Sequence, residues 1–270
     1  MGPGDMNDRP PHAGEPSSAD ILSEAQRRLQ ERANERLHQP IPPRQRAWVD
    51  TLNRGVFWMA RHWLAVFNTL AGLFIGGALL PPVFLTLGMT RAANILYALY
   101  RPLCHQYPFR SWFLFGPQLA YPLTEPLHAS EMNALRSFVG DAGTGYKTAL
   151  CQRDVAIYGF MFLAGLVFAV LRRRKALQPW PMWQYFAFGI LPMIIDGGLQ
   201  WLSYAVWLFF PALMPIPFET TPLMRGLTGA LFGLGLVAVA YPHLDHYFED
   251  VRRVLHQKYN APIPSPEVNV

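Results

Sequence analysis

Charge is scarce in this chain. Only 15% of its 270 residues are Asp, Glu, Lys or Arg, against roughly 25% in soluble domains, while 51% are hydrophobic. That shortage argues against an ordinary water-soluble domain, and several uncharged runs approach the ~20 residues needed to cross a bilayer. Cysteine is scarcer still. Cys104 and Cys151 are the only two, so no more than one disulfide can form within the chain. Walker loop, dinucleotide fingerprint, His-Glu-x-x-His and nucleophile elbow are all missing, which removes the usual sequence signatures of nucleotide, NAD, zinc-protease and serine-hydrolase chemistry. Ser111 has no evident triad, and no Cys-x-x-Cys-His offers covalent haem attachment. No cleavable signal peptide is expected, because about the first 48 residues are polar and proline-rich.

The net charge is +5, but the basic residues sit in the N-terminal tail, at Arg172-Arg173-Arg174-Lys175 and in the C-terminal segment. Those are flanks of apolar runs, where positive-inside orientation explains them without nucleic acid. The pattern predicts an all-α polytopic membrane helix bundle with four spans: about 63–87, 155–171, 183–207 and 226–241. Pro81-Pro82 predicts a kink in the first. Ala92–Leu103 is apolar but too short to span alone, and Trp112–Phe115 is apolar again after the first cysteine motif, which leaves a surface helix, a re-entrant element or a hairpin extension over 92–115. Before the spans, residues 1–48 form a polar tail with an amphipathic helix over Ile21–Leu37, where Glu24 and Arg28 stand one helical turn apart. An extracytoplasmic insert, 116–150, carries one short helix from Ser130 to Val139, and 244–270 form a charged cytoplasmic tail. With the Arg172–Lys175 block cytoplasmic, both termini are cytoplasmic and both cysteines face outward, across the inner (cytoplasmic) membrane of the cell.

Two clusters carry candidate chemistry: Cys104-His105-Gln106 with Arg110-Ser111, and Cys151-Gln152-Arg153-Asp154. Cys151, Asp154 and Tyr158 fall at i, i+3 and i+7, on one helix face. Cys104, His105, Cys151 and Asp154 together make a four-ligand set that zinc accepts in tetrahedral geometry. A Cys104–Cys151 disulfide and two unlinked packed thiols are the alternatives. In the third span Asp196 is an ionisable group where such groups face a partner or a cavity, and Gln200 lies one turn further on the same face. Arg110, Arg153 and Arg225 are at compatible depth. Asp154, Asp196, Gln200 and these arginines, with Ser111 and Tyr158, are therefore expected to converge on a polar pocket with Asp196 and Arg225 as its pair, either a substrate or proton site or a structural ion-pair network. Gly229-x-x-x-Gly233 permits close helix contact. His243 and His246 read as part of a solvated charged helix.

These residues resemble a prokaryotic membrane-protein family known as domain of unknown function 2085. The resemblance rests on the two cysteine motifs with Ile157-Tyr158, on Leu191-Pro192-Met193 through Asp196-Gly197-Gly198-Leu199-Gln200, and on Arg225-Gly226-Leu227-Thr228-Gly229 with Leu231-Phe232-Gly233. It covers roughly residues 60–242. Many relatives have Cys-x-Arg-Cys where this chain has Cys151-Gln152-Arg153-Asp154, so in them a Cys, a His and a Cys pair look like a zinc or redox site. Asp154 replaces the last thiol here, which excludes thiol–disulfide exchange by that pair. The resemblance implies a membrane fold and brings no assigned activity. The expected role is an accessory or assembly subunit of a larger membrane complex, docking protein partners within the lipid bilayer and holding a structural Cys/His/Asp site. The alternative is a membrane enzyme or transporter that uses the metal site and the Asp196/Arg225 pocket.

Overall fold

The computed structural model describes residues 22, 24–31, 42–124, 128–173 and 177–260. The chain divides into two units at Arg54–Gly55. In the first unit residues 24–31 are helical, with Arg28 Nε 2.8 Å and Arg27 Nη2 3.0 Å from the Glu24 carboxylate. Leu22 is helical as well, while the other residues of the expected 21–37 helix, Arg174, Lys175 and the proline-rich C-terminus lie outside the described residues.

Four helices are long and apolar enough to cross a membrane: α1 (Pro43–Thr86), α4 (Gln152–Leu171), α5 (Met182–Phe209) and α6. The last, α6, runs unbroken over Pro222–Asn260 with Pro242 inside it, so the expected fourth span and the charged tail are one helix. Likewise α1 begins at Pro43 and passes through the buried Pro81 and Pro82 to Thr86. Within α5, Pro192 has no N–H to offer the carbonyl a turn earlier. The helix relaxes just before it into a π-helical turn over Phe186–Ile190, where Leu191 N–H bonds to Phe186 O.

Residues 92–115 resolve into parts. After Gly88, at φ 75°, α2 (Thr90–Tyr100) turns back along α1. Tyr100 Oη donates to Phe74 O at 2.5 Å, and Tyr97 Oη donates to Lys147 O at 2.5 Å. A 3-10 turn, Pro108–Arg110, leads into β1 (Ser111–Leu114). The expected helix of the insert is α3 (Met132–Ser137). Alongside it the insert builds a small antiparallel sheet that helical periodicity does not reveal. Its strand order is β1-β3-β2, with β2 over Gly140–Asp141 and β3 over Gly145–Cys151. Ser111 pairs with Cys151 and Phe113 with Lys147, which ties the two cysteine motifs together at the end of α4.

α4 and α6 form the most extensive helix pair. A Cβ on Gly229 would stand 2.6 Å from Arg153 O, and one on Gly233 would stand 2.4 Å from Ile157 O. Only glycine at both positions lets the backbones approach this closely. At the opposite end, Trp63 of α1 packs among Phe168, Tyr241 and Phe248.

Candidate functional site

The starts of α4 and α6, the sheet and the segment between α5 and α6 meet at one end of the bundle. Two polar clusters form there, and the two cysteine motifs divide between them. In the first cluster, ligand atoms of Cys104, Cys151 and Asp154 lie within 4.8 Å of one another. Cys151 Sγ is 3.1 Å from Asp154 Oδ2, as their i,i+3 spacing directs. Both cysteines are free thiols, so the disulfide alternative does not hold in this structure. The Cys151 thiol hydrogen-bonds to Cys104 and holds the Cys104 thiol below the ordinary cysteine value. The same bond, with burial, pushes Cys151 well above it.

His105 is not part of this group. Cys104 and Gln106 are buried while His105 between them is exposed, so neighbouring side chains leave the chain on opposite sides. His105 stacks on Tyr107, with ring centroids 5.6 Å apart, and lines a separate cavity. Tyr158 packs on Phe74 at 4.6 Å, edge to face, beside the thiol cluster.

The second cluster is an arginine–carboxylate network. Arg153 Nη2 pairs with Asp196 and donates to Gln200 Oε1 at 2.9 Å. Thr228 Oγ1 donates to Asp196 at 3.2 Å. Arg225 does not take Asp196, the pairing expected from the sequence. Its Nη2 pairs with Glu219, and its Nη1 donates to Gln152 Oε1 at 3.0 Å and to Phe109 O at 3.1 Å. Glu219 is the centre of the network. It also accepts from Arg110 Nη2 at 2.5 Å and Nε at 2.9 Å, from Tyr204 Oη at 2.5 Å and from Gln200 Nε2 at 2.9 Å. Burial opposes the charge on Arg110, and the Glu219 bonds more than offset that, so its pKa is raised.

Glu219 was not anticipated. It sits in the proline-rich connection after α5, which folds back into the bundle because Ser203 Oγ donates to Phe218 O at 3.1 Å and Gln200 Nε2 donates to Thr220 Oγ1 at 3.0 Å. One signal was present: Glu219 is the only acidic residue between Asp196 and Asp245. Gln152 is also integral, since it is fully buried and donates to Ser111 O at 3.0 Å. Ser111 itself is a scaffold residue, its Oγ bonded to Tyr107 O at 2.9 Å.

A cavity of about 360 Å3 opens beside the network. His105, Tyr107, Arg110, Arg153, Gln200 and Tyr204 line it, with Gly197, Trp201 and Met132 at its sides. Arg153 Nη1 lies against Gly197, where an added Cβ would be 3.2 Å away. Behind the sheet, Lys147 is fully buried and has no carboxylate partner among the described residues. Its ammonium donates to Gln106 O at 2.6 Å and Arg136 O at 2.8 Å, and burial lowers its pKa to about 8.

An uncharacterized protein of Methanocaldococcus jannaschii, MJ1492, is 24% identical over 189 residues, 68% of this chain and 93% of the relative. No solved structure matches the chain. Residues 133–239 match a family described as predicted membrane protein, domain of unknown function 2085. That segment includes Cys151 through Asp154, Asp196, Glu219 and Arg225, while Cys104, His105 and Arg110 precede it. Over β3, α4, α5 and the first half of α6, the chain is therefore similar to that family of predicted membrane proteins, and it carries four helices long and apolar enough to cross a membrane.

Proposed function

We propose that the protein binds a small anion, a carboxylate or phosphate, in the cavity lined by Arg110, Arg153 and His105. The observation that carries this reading is the charge balance of the network behind the cavity, of which Arg110 and Arg153 reach its wall. Arg110, Arg153 and Arg225 face two carboxylates, Asp196 and Glu219. One positive charge is left over beside a cavity of about 360 Å3. The carboxylates hold the guanidiniums from behind, so their remaining N–H groups are oriented before a ligand arrives. This is the membrane enzyme or transporter alternative, with Arg153 in place of Arg225 as the partner of Asp196.

The Cys104/Cys151/Asp154 group beside that pocket fits a three-ligand metal site. Ligands bound about 2.3 Å from a zinc ion stand roughly 4 Å apart in a tetrahedron, and the 4.8 Å spread of these atoms accommodates it. Two sulfurs and one carboxylate oxygen leave a fourth position for water. We place this end of the bundle outside the inner membrane and both tails in the cytoplasm, from the Arg172–Arg173 flank.

A thermal-shift titration of the purified chain against phosphate, sulfate and dicarboxylates tests the pocket. A stabilising anion should lose about tenfold in affinity in Arg110→Lys, which keeps the charge on Glu219 and removes the planar fork. No stabilising anion, or one indifferent to Arg110→Lys, sinks the reading. The subunit reading has its own support in α1, whose first unit exposes Trp48 and Leu52 one turn apart. Stoichiometric co-purification from native membranes, lost on Trp48→Ser/Leu52→Ser, would favour it.

A further inference from the structure

The other end of the bundle holds a second charged cavity, which does not depend on the anion reading above. It measures about 690 Å3, lies between α1 and α6, and is lined by Phe57, Arg61, Glu249, Arg252, Arg253 and His256. Its neighbours fix its depth. Arg172, just past the apolar run of α4, pairs with Asp245 at 3.1 Å and lies over the Trp63 ring. Trp63 in turn stacks on Phe248, with centroids 5.6 Å apart. These contacts mark where the apolar part of the spans ends. Arg252 stands two turns beyond Asp245 on α6, about 10 Å at ~1.5 Å per residue, and Arg61 stands half a turn before Trp63. The headgroup layer on each side of a bilayer is roughly 5–7 Å deep. Arginine side chains rooted here reach phosphate level by snorkelling.

The charges of the cavity are unevenly matched. Glu249 already pairs with Arg253 at 2.5 Å. Among the described residues Arg61 has no ion-pair partner, and Arg252 Nε is buried without a hydrogen-bond acceptor. We propose that this cavity binds the phosphate of an anionic phospholipid from the leaflet at this end. Guanidinium forks match phosphate oxygens in pairs, and basic pockets between spans at a membrane face take such headgroups. Phe57 offers the apolar wall against which the glycerol end can rest.

The test is native mass spectrometry of the full chain in detergent, titrated with phosphatidylglycerol or phosphatidylcholine. Phosphatidylglycerol should be retained preferentially. Arg61→Gln/Arg252→Gln should weaken it by roughly fivefold per arginine and leave phosphatidylcholine unchanged. Glu249→Gln, a change of charge at a half-buried surface residue that keeps its shape, should strengthen it. Equal retention of the two lipids, undiminished phosphatidylglycerol binding in the double variant, or no gain in Glu249→Gln would overturn the proposal. Displacement of the lipid by millimolar inorganic phosphate would assign the cavity to a soluble anion and overturn it equally.

Discussion

Glu219→Gln is the most demanding perturbation of the arginine network. The glutamate side chain is only 10% exposed and receives bonds from Arg110, Arg225, Gln200 and Tyr204. Glutamine preserves its shape, so packing is held constant. What changes is charge, and an amide NH2 now opposes a guanidinium donor. Arg225, whose side chain is 3% exposed, loses its one carboxylate partner among the described residues, and three arginines are left facing Asp196. Removing one partner of a buried pair costs about 3–5 kcal/mol, which corresponds to a fall in melting temperature of roughly 6–20 °C for a chain of this size. The assay is thermal unfolding of the purified protein in detergent, with the exposed Glu131→Gln as a control expected to melt like wild type. Glu219→Gln/Arg225→Gln should recover much of the loss, because removing both charges avoids the uncompensated one. A Glu219→Gln protein melting within about 2 °C of wild type, or a double variant no better than the single, would refute the argument that Glu219 organises this end.

Three further outcomes follow from the geometry. Purified protein should hold about one zinc per chain, reduced by Cys104→Ser and Cys151→Ser and weakened by Asp154→Ala. His105→Ala should leave metal content intact, and a loss equal to that of Cys104→Ser would contradict the separation of the two clusters. Lys147 has a folded pKa near 8 against an ordinary 10.5, so the unfolded chain binds the extra proton between those values and stability should rise with pH across that window. The gain, roughly 3 kcal/mol at most, should be present in wild type and missing in Lys147→Met when melting is compared at pH 7.5 and 10.5; parallel pH profiles would count against it. In a background lacking Cys104 and Cys151, a cysteine at position 130 should react with impermeant reagents added outside cells, while one at position 173 should not. The reverse pattern would invert the proposed orientation.

The four spans were legible because their signal is local: long uncharged runs ended by Arg172 or broken by turn-rich segments. Contacts between distant segments were not. The strand Gly145–Cys151 shows no clean alternation, since four of its inner positions are buried together, and its partner Ser111–Leu114 lies far back in the chain. The continuity of α6 through Pro242 escaped a rule that treats proline as a boundary. Its place inside an apolar run marks Asp196 as a residue needing a partner, but depth alone cannot choose among Arg110, Arg153 and Arg225. The choice is made by Glu219, which returns from a loop and takes Arg110 and Arg225 for itself. Cys104 and His105 were read as co-ligands because they are adjacent, yet adjacency is what separates them, with one side chain buried and the other exposed.

The return of Glu219 also sets an order of events during synthesis. Arg110 and Arg153 leave the ribosome well before either carboxylate that will neutralise them, and Glu219 arrives just ahead of α6. Chains are made from the N-terminus onward, so a nascent protein with α1 and α4 in place holds two guanidiniums that only water can satisfy. Their position at the ends of spans makes that wait tolerable, since a charge near the interface keeps its hydration while one at the bilayer centre does not. The last helix completes the set: docking Gly229 and Gly233 onto α4 sets Arg225 against Glu219, Gln152 and the Phe109 carbonyl. A chain truncated before α6 would keep Asp196 for Arg153 and Glu219 for Arg110, and would lack only the third guanidinium, Arg225.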